Sequence, residues 1–146
     1  MVLCVMKIVP VTCAIIFHQG KVLAAQRSVI MPLPGKWEFP GGKVEEGEVP
    51  EACLIREIRE ELAIDIRIFG ALQPSEFSYA SQKTIRLIPF LATWEGGEVR
   101  LLEHSEVKWI GPEELFSLDW AAADVPIVHE LKEKWVKLVS QIKTAK

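Results

Sequence analysis

Cysteine and histidine are scarce in this 146-residue chain, and neither is arranged for a familiar task. Cys4, Cys13 and Cys53 are odd in number and lack CxxC spacing. That excludes a disulfide framework and a cysteine-built zinc site, and leaves reduced thiols in a cytoplasmic protein. His18, His104 and His129 are scattered; they offer no transition-metal cluster and read as surface or helix-face side chains. No Gly-x-Ser-x-Gly elbow occurs, so acyl-type nucleophilic catalysis gains no support. Lys43 follows two glycines, but Trp37 and Val44 stand where a GxxxxGK[ST] phosphate loop needs Gly and Ser/Thr. Basic residues are outnumbered, 17 against 20 acidic for a net charge of -3, which leaves no footprint for a nucleic-acid duplex. A phosphorylated substrate would need a cation between itself and this protein. No apolar run reaches the roughly 18 residues of a membrane span. The opening Met-Val-Leu-Cys-Val-Met lacks a basic flank and is broken by Lys7, so it is not a secretory signal; Met6 reads as the natural start and residues 1–5 as an incidental extension.

What remains is one expected domain over residues 1–146, long enough to bury a core without staples. Residues 8–17 (IVPVTCAIIF) and Val22–Arg27 read as two strands joined at His18-Gln19-Gly20-Lys21, with Pro10 implying an edge or a bulge. Met31–Gly47 is punctuated by Pro and Gly and reads as loop. Pro50–Leu62 reads as a helix with Ile55, Ile58 and Leu62 on its buried stripe, ending at Ala63. Further strands are expected at Ile64–Phe69, Thr84–Trp94 and Val107–Ile110, the last two separated by a turn at Glu95-Gly96-Gly97-Glu98. Pro112–Leu115 reads as a short helical turn and Asp124–Gln141 as a second long helix. Interspersed strands and helices predict an α/β (α+β) fold, a mixed sheet with helices on both faces.

The stretch Arg-Glu-Ile-Arg-Glu-Glu-Leu, residues 56–62, carries its own penalty. Glu57, Glu60 and Glu61 fall at i, i+3 and i+4, one strip of helix surface, where like charges repel by roughly 0.2 to 0.5 kcal/mol per pair. They also lie in the helix's C-terminal half, where the macrodipole disfavours anions. A solvated helix laced by Arg56 and Arg59 is one account. A cation site is the other, because hard divalent ions are held by carboxylates and phosphates.

Read from Gly42, the chain resembles the Nudix box, Gly-x5-Glu-x7-Arg-Glu-U-x-Glu-Glu-x-Gly-U with U aliphatic, of the MutT-like Nudix hydrolases. Gly42, Glu48, Arg56, Glu57, Ile58, Glu60, Glu61 and Ile64 stand at the required spacings. Ala63 replaces the box glycine, and Val49 precedes Pro50 where Ser or Thr would cap better. Arg27, the run Trp37–Lys43, and Glu103 before Val107-Lys108-Trp109 extend the likeness over nearly the whole chain. Singly, Arg27 passes as a surface strand residue, Phe39 as core and Glu103 as a loop acid.

The resemblance implies a Nudix fold and a Mg²⁺-dependent pyrophosphohydrolase, with Mn²⁺ as substitute, that releases a nucleoside monophosphate and pyrophosphate. It places Glu57, Glu60, Glu61, Glu103 and Gly41 around the metal and gives catalytic roles to Glu57, Glu60, Arg56 and Glu103. Arg27 and Lys43 meet the phosphates, and Phe39 and Asp124 the base. Leu102-Glu103-His104, Trp109 and Ala122–Pro126 look more like the CTP pyrophosphohydrolase branch than MutT itself; 8-oxo-dGTP cleansing is the close alternative. A Nudix-fold nucleotide sensor without turnover is the alternative of another class. The expected partner is a nucleoside triphosphate, without duplex or membrane, and the expected state a monomer or homodimer. Asp124 also reads as the cap of the second helix, and in either role as an ionised acceptor.

Overall fold

The computed structural model describes residues 7–79 and 83–144, so Cys4 and the proposed 1–5 extension lie outside the described residues. β1 (Lys7–His18) and β2 (Lys21–Gln26) form the expected hairpin, with Phe17 opposite Val22 and His18 opposite Lys21. Gln19 and Gly20 both take positive φ, 51° and 75°, the turn whose twist matches paired strands. β3 (Trp37–Glu38) and β4 (Gly41–Lys43) follow, then α1 (Pro50–Leu62), β5 (Ile64–Ala71), β6 (Ser75–Tyr79), β7 (Lys83–Gly97), β8 (Glu106–Ile110) and α2 (Val125–Thr144). The backbone order is β3-β2-β1-β7-β5, with β4 on β1, β6 on β7 and β8 on β2. The β1–β7 pairing is parallel and the other pairings antiparallel, so the sheet is mixed.

Residues 12–17 of β1 are all buried because the strand is covered on both faces. Cys13, Ile15 and Phe17 face the cluster that holds Ile127, Leu131 and Trp135 of α2; Ala14 and Ile16 face Leu54, Ile58 and Leu62 of α1. Helices therefore cover both faces, as expected. Pro10 sits where its missing donor is cheap: its carbonyl accepts from Val44 N (3.0 Å) just past the last β1–β4 rung, so its ring nitrogen also faces that sheet margin.

Three expectations change. The segment read as loop contains β3 and β4, only two and three residues long, and β6 (SEFSY), which has two polar serines and a glutamate among its five residues, is an unexpected strand. The Glu95–Glu98 turn is a continuation of β7, with Gly97 paired to Ile64. A Cβ on Gly97, whose φ is 84°, would stand 2.6 Å from the Ala63 carbonyl oxygen, so the strand closes on α1 only because the residue is glycine.

α1 has the predicted bounds. Val49 is extended and gives no side-chain cap, while Pro50 supplies the preset φ of a first helical residue. At the other end Ala63 closes the helix at φ 60°, ψ 30°, its N–H donating to Arg59 O. A left-handed alanine costs roughly 1–2 kcal/mol, partly offset by the lower chain entropy of the unfolded state. Ala63→Gly should therefore stabilise by about 0.5–1 kcal/mol, a rise of roughly 1–4 °C in melting temperature by differential scanning calorimetry. An unchanged or lower midpoint would contradict the strain.

Candidate active site

Buried Leu54, Ile58 and Leu62 fix the rotation of α1. Glu61 falls in line with that stripe at i+3 from Ile58, so it is only 3% exposed, whereas Glu60 stays on the surface. The three acids therefore do not share one solvent-facing strip as expected. Glu57 lies between, half-buried, with β4 against it: a Cβ on Gly42 would stand 2.2 Å from Glu57 Cδ. Gly41 is equally constrained, 2.0 Å from Thr12 O by the same construction.

Arg56 gathers the neighbouring carboxylates. Its Nε and Nη2 donate to Glu48 Oε2 (2.8 Å) and Oε1 (2.9 Å), and Nη1 to Glu57 Oε1 (3.0 Å) and Glu60 (3.3 Å). The guanidinium holds Glu48 down at about 2. Burial lifts Glu57 above its ordinary value against the pull of Arg56. No hydrogen bond or ion pair joins Arg56 to Glu61 among the described residues. Burial, followed by the charges of Glu103, Glu38, Glu57 and Glu60, pushes it up to about 9, and its Oε2 has no partner among the described residues.

Residues 98–105 form a strap across this end of the helix. Arg100 N donates to Leu62 O (2.9 Å), Leu102 N to Glu61 O (3.2 Å) and Ser105 N to Gln26 O (3.1 Å). The strap carries exposed Glu103, near enough to raise Glu57 and Glu61, and His104. The surface expectation for His104 is wrong: its side chain is 0% exposed and Nε2 lies 2.8 Å from Glu38 Oε2 and 3.9 Å from Glu61 Oε1. His18 is half-buried against Trp94 and Trp109, and His129 is exposed beside Phe116. Glu38 also takes Arg27 Nη1 at 2.5 Å, while Arg27 Nε donates to Pro32 O.

A chain of contacts thus runs Arg27–Glu38–His104–Glu61. Glu38 and His104 fall in stretches that carry the family resemblance but have no site role in the sequence reading; 66 positions separate them, and no spacing rule pairs them. Glu38, Glu61 and His104 bring one ligand-type atom each within 4.8 Å of one another. Glu57, Glu60 and Glu103 stand outside that compact group, the first two held by Arg56.

Lys43 is exposed in β4, paired across to Val11. Asp124 and Phe39 do meet, through Phe39 N donating to Asp124 Oδ2 (3.0 Å), but the Phe39 ring is buried against Trp120 with centroids 4.7 Å apart. The capping expectation for Asp124 fails. It sits in a 3-10 turn, Ala122–Asp124, and gives its carboxyl to the β3–β4 connection, with no bond to the first turn of α2 among the described residues. It is also not an ionised acceptor: burial, with Glu38 nearby, pushes it up to about 8 despite the Phe39 amide and the opposing charge of Arg27.

Comparison with known proteins identifies the family and the fold. The NUDIX domain model matches residues 6–131. The chain is 37% identical over 124 residues to a CTP pyrophosphohydrolase of Escherichia coli K12, 85% of this chain and 91% of the relative. It is 37% identical over 103 residues to a putative 8-oxo-dGTP diphosphatase 2 of Mycobacterium tuberculosis, 70% of this chain and 73% of the relative. The solution structure of the E. coli ORF135 protein superposes with a TM-score of 0.77 at 32% identity, covering 88% of this chain and 91% of that one. Sequence, fold and relatives converge: the chain belongs to the Nudix family and is a Nudix hydrolase.

Proposed function

We propose that this hydrolase cleaves a nucleoside triphosphate between its α and β phosphorus atoms in a Mg²⁺-dependent reaction, releasing the monophosphate and pyrophosphate, with a cytosine nucleotide as preferred substrate. The observation that carries the reading is Glu61: a buried carboxyl whose Oε2 has no partner among the described residues and whose proton is held by burial and by the charges of Glu103, Glu38, Glu57 and Glu60. A divalent cation relieves that crowding, and Gly42 lets the β4 backbone close on Glu57 beside it. The donor set is all oxygen apart from His104, which suits Mg²⁺, with Mn²⁺ as substitute.

Glu57, Glu60 and Glu61 would hold the ion, joined by Glu103 and by Gly41 through its backbone. When bound, the cation lowers the pKa of a water and neutralises phosphate charge. Arg56, itself locked by Glu48, orients Glu57 and Glu60. Glu103, which is exposed, would serve either as that further ligand or as the base that accepts a proton from the attacking water. Arg27 and Lys43 face the remaining phosphate charge, and Asp124 reads the base. A reducing cytoplasm is the location proposed, from the odd number and the spacing of the three cysteines.

Pyrophosphate and nucleoside monophosphate should appear in equal amounts from dCTP, without orthophosphate, and only with Mg²⁺ or Mn²⁺ present. Orthophosphate and diphosphate as first products would overturn the proposed bond. Binding without turnover of any nucleotide would instead favour a sensor. The second substrate reading, 8-oxo-dGTP, is favoured by the naming of the mycobacterial relative.

A further inference from the structure

Two basic side chains divide the carboxylates on and beside α1 unequally. Arg56 takes Glu48, Glu57 and Glu60 and leaves Glu61 aside. The basic group nearest Glu61 among the described ion pairs is His104, whose Nε2 is 3.9 Å from Oε1. The same nitrogen lies 2.8 Å from Glu38 Oε2, whereas Nδ1 has no partner among the described residues. Glu38 is the acceptor within hydrogen-bond reach, so the ring proton belongs on Nε2 and is given to Glu38, while Glu61 Oε1 packs beside the same nitrogen beyond hydrogen-bond reach. The imidazole cannot drift: the strap that carries it is tied to the Glu61 and Leu62 carbonyls at one end and to Gln26 at the other.

We propose that His104 is a positioning residue that, gripped by Glu38, fixes the Glu61 carboxyl for a divalent cation and ties the Arg27 end of the site to the metal end. The inference rests on the reading of the acidic residues as a cation site. Its physical basis is general. A glutamate has three side-chain torsions, and a neighbour that holds them reduces the freedom lost when an ion binds. Outer partners of this kind are worth roughly 10–100-fold in metal affinity.

Mn²⁺ alone, without nucleotide or turnover, is the probe, its free aquo-ion followed by electron paramagnetic resonance. His104→Leu keeps the bulk and removes the donor, while His104→Gln places an amide N–H near the position of Nε2. The leucine variant should bind Mn²⁺ about 10–100-fold more weakly, and the glutamine variant should return to within about threefold of wild type. Should His104→Leu fail to fold, Glu38→Gln loosens the same grip from the other side and should weaken Mn²⁺ binding by about three- to tenfold. Leucine and glutamine variants that match wild type, or that lose affinity equally, would reduce His104 to packing and overturn the proposal, as would unchanged affinity in Glu38→Gln. Glu57→Gln is the separate control: if it binds Mn²⁺ like wild type, the cation site itself has been misplaced.

Discussion

Glu61→Gln is expected to cut Mg²⁺-dependent turnover by more than about 100-fold while raising the melting temperature of the metal-free protein. The loss of turnover follows from the proposed ligand role, since a ligand is worth more than the roughly 10–100-fold carried by a partner behind it. The gain in stability follows from burial. The folded protein holds the Glu61 proton up to about 9, against 4.5 for the ordinary side chain. Between those two pH values the folded state binds more protons than the unfolded one, so the contribution to stability is full below about 4.5 and is lost as pH rises toward about 9. Glutamine never ionises, keeps nearly the same shape and escapes that decline. The difference in melting temperature should therefore be small at pH 5 and widen to roughly 3–6 °C by pH 8–9. Asp124, held up to about 8, adds a slope of the same sign that the variant retains, so its profile flattens without becoming level. Adding Mg²⁺ should raise the wild-type midpoint, more so at alkaline pH where the ion need not displace a proton, and should leave the variant where it was. A variant that tracks wild type from pH 5 to 9, or that turns over normally at limiting Mg²⁺, would remove Glu61 from the site.

That Glu61 is buried was within reach of the sequence and was misread. The spacing i, i+3, i+4 groups it with Glu57 and Glu60, but Leu54, Ile58 and Glu61 are also spaced i, i+4, i+7, and the buried stripe includes Leu54 where the reading placed Ile55. Glu61 belongs to both patterns, and the helix turns it toward the strap. The bounds of α1 were legible because Pro50 and the apolar period are local signals. β3 and β4 were not, since two- and three-residue strands exist only by pairing with β2 and β1. His104 illustrates the same limit at the site. A lone loop histidine carries no periodic context, and what buries it is Glu38 from a distant strand and backbone bonds that no spacing rule encodes.

Asp124 is where the structure reverses an expectation most usefully. With its carboxyl held up to about 8, it is mainly neutral at pH 7 and offers an O–H donor as well as an acceptor, one oxygen already serving Phe39 N–H. The pairing edge of cytosine presents an acceptor, N3, beside the N4 amino donor, which matches a neutral carboxyl. The edge of guanine and of 8-oxoguanine presents two adjacent donors, N1–H and N2–H, which matches a carboxylate. If Asp124 reads the base, the ratio of kcat/KM for dCTP over that for 8-oxo-dGTP should fall by about tenfold or more as pH rises from 6.5 to 9, equivalent to roughly 1–3 kcal/mol of discrimination. Asp124→Asn should then keep the neutral-pH ratio, because its amide also pairs a donor with an acceptor, and should abolish the pH dependence. The ionised reading drawn from sequence predicts the opposite, an immediate loss of cytosine preference in the asparagine variant. Ratios measured at pH 6.5, 7.5 and 9 on both proteins separate the two, with the wild-type slope corrected by a nucleotide whose base lacks an exocyclic amino group. A ratio that is flat with pH and unmoved by the substitution would leave Asp124 as the buried tie between the 3-10 turn and Phe39, and base selection would have to come from another residue.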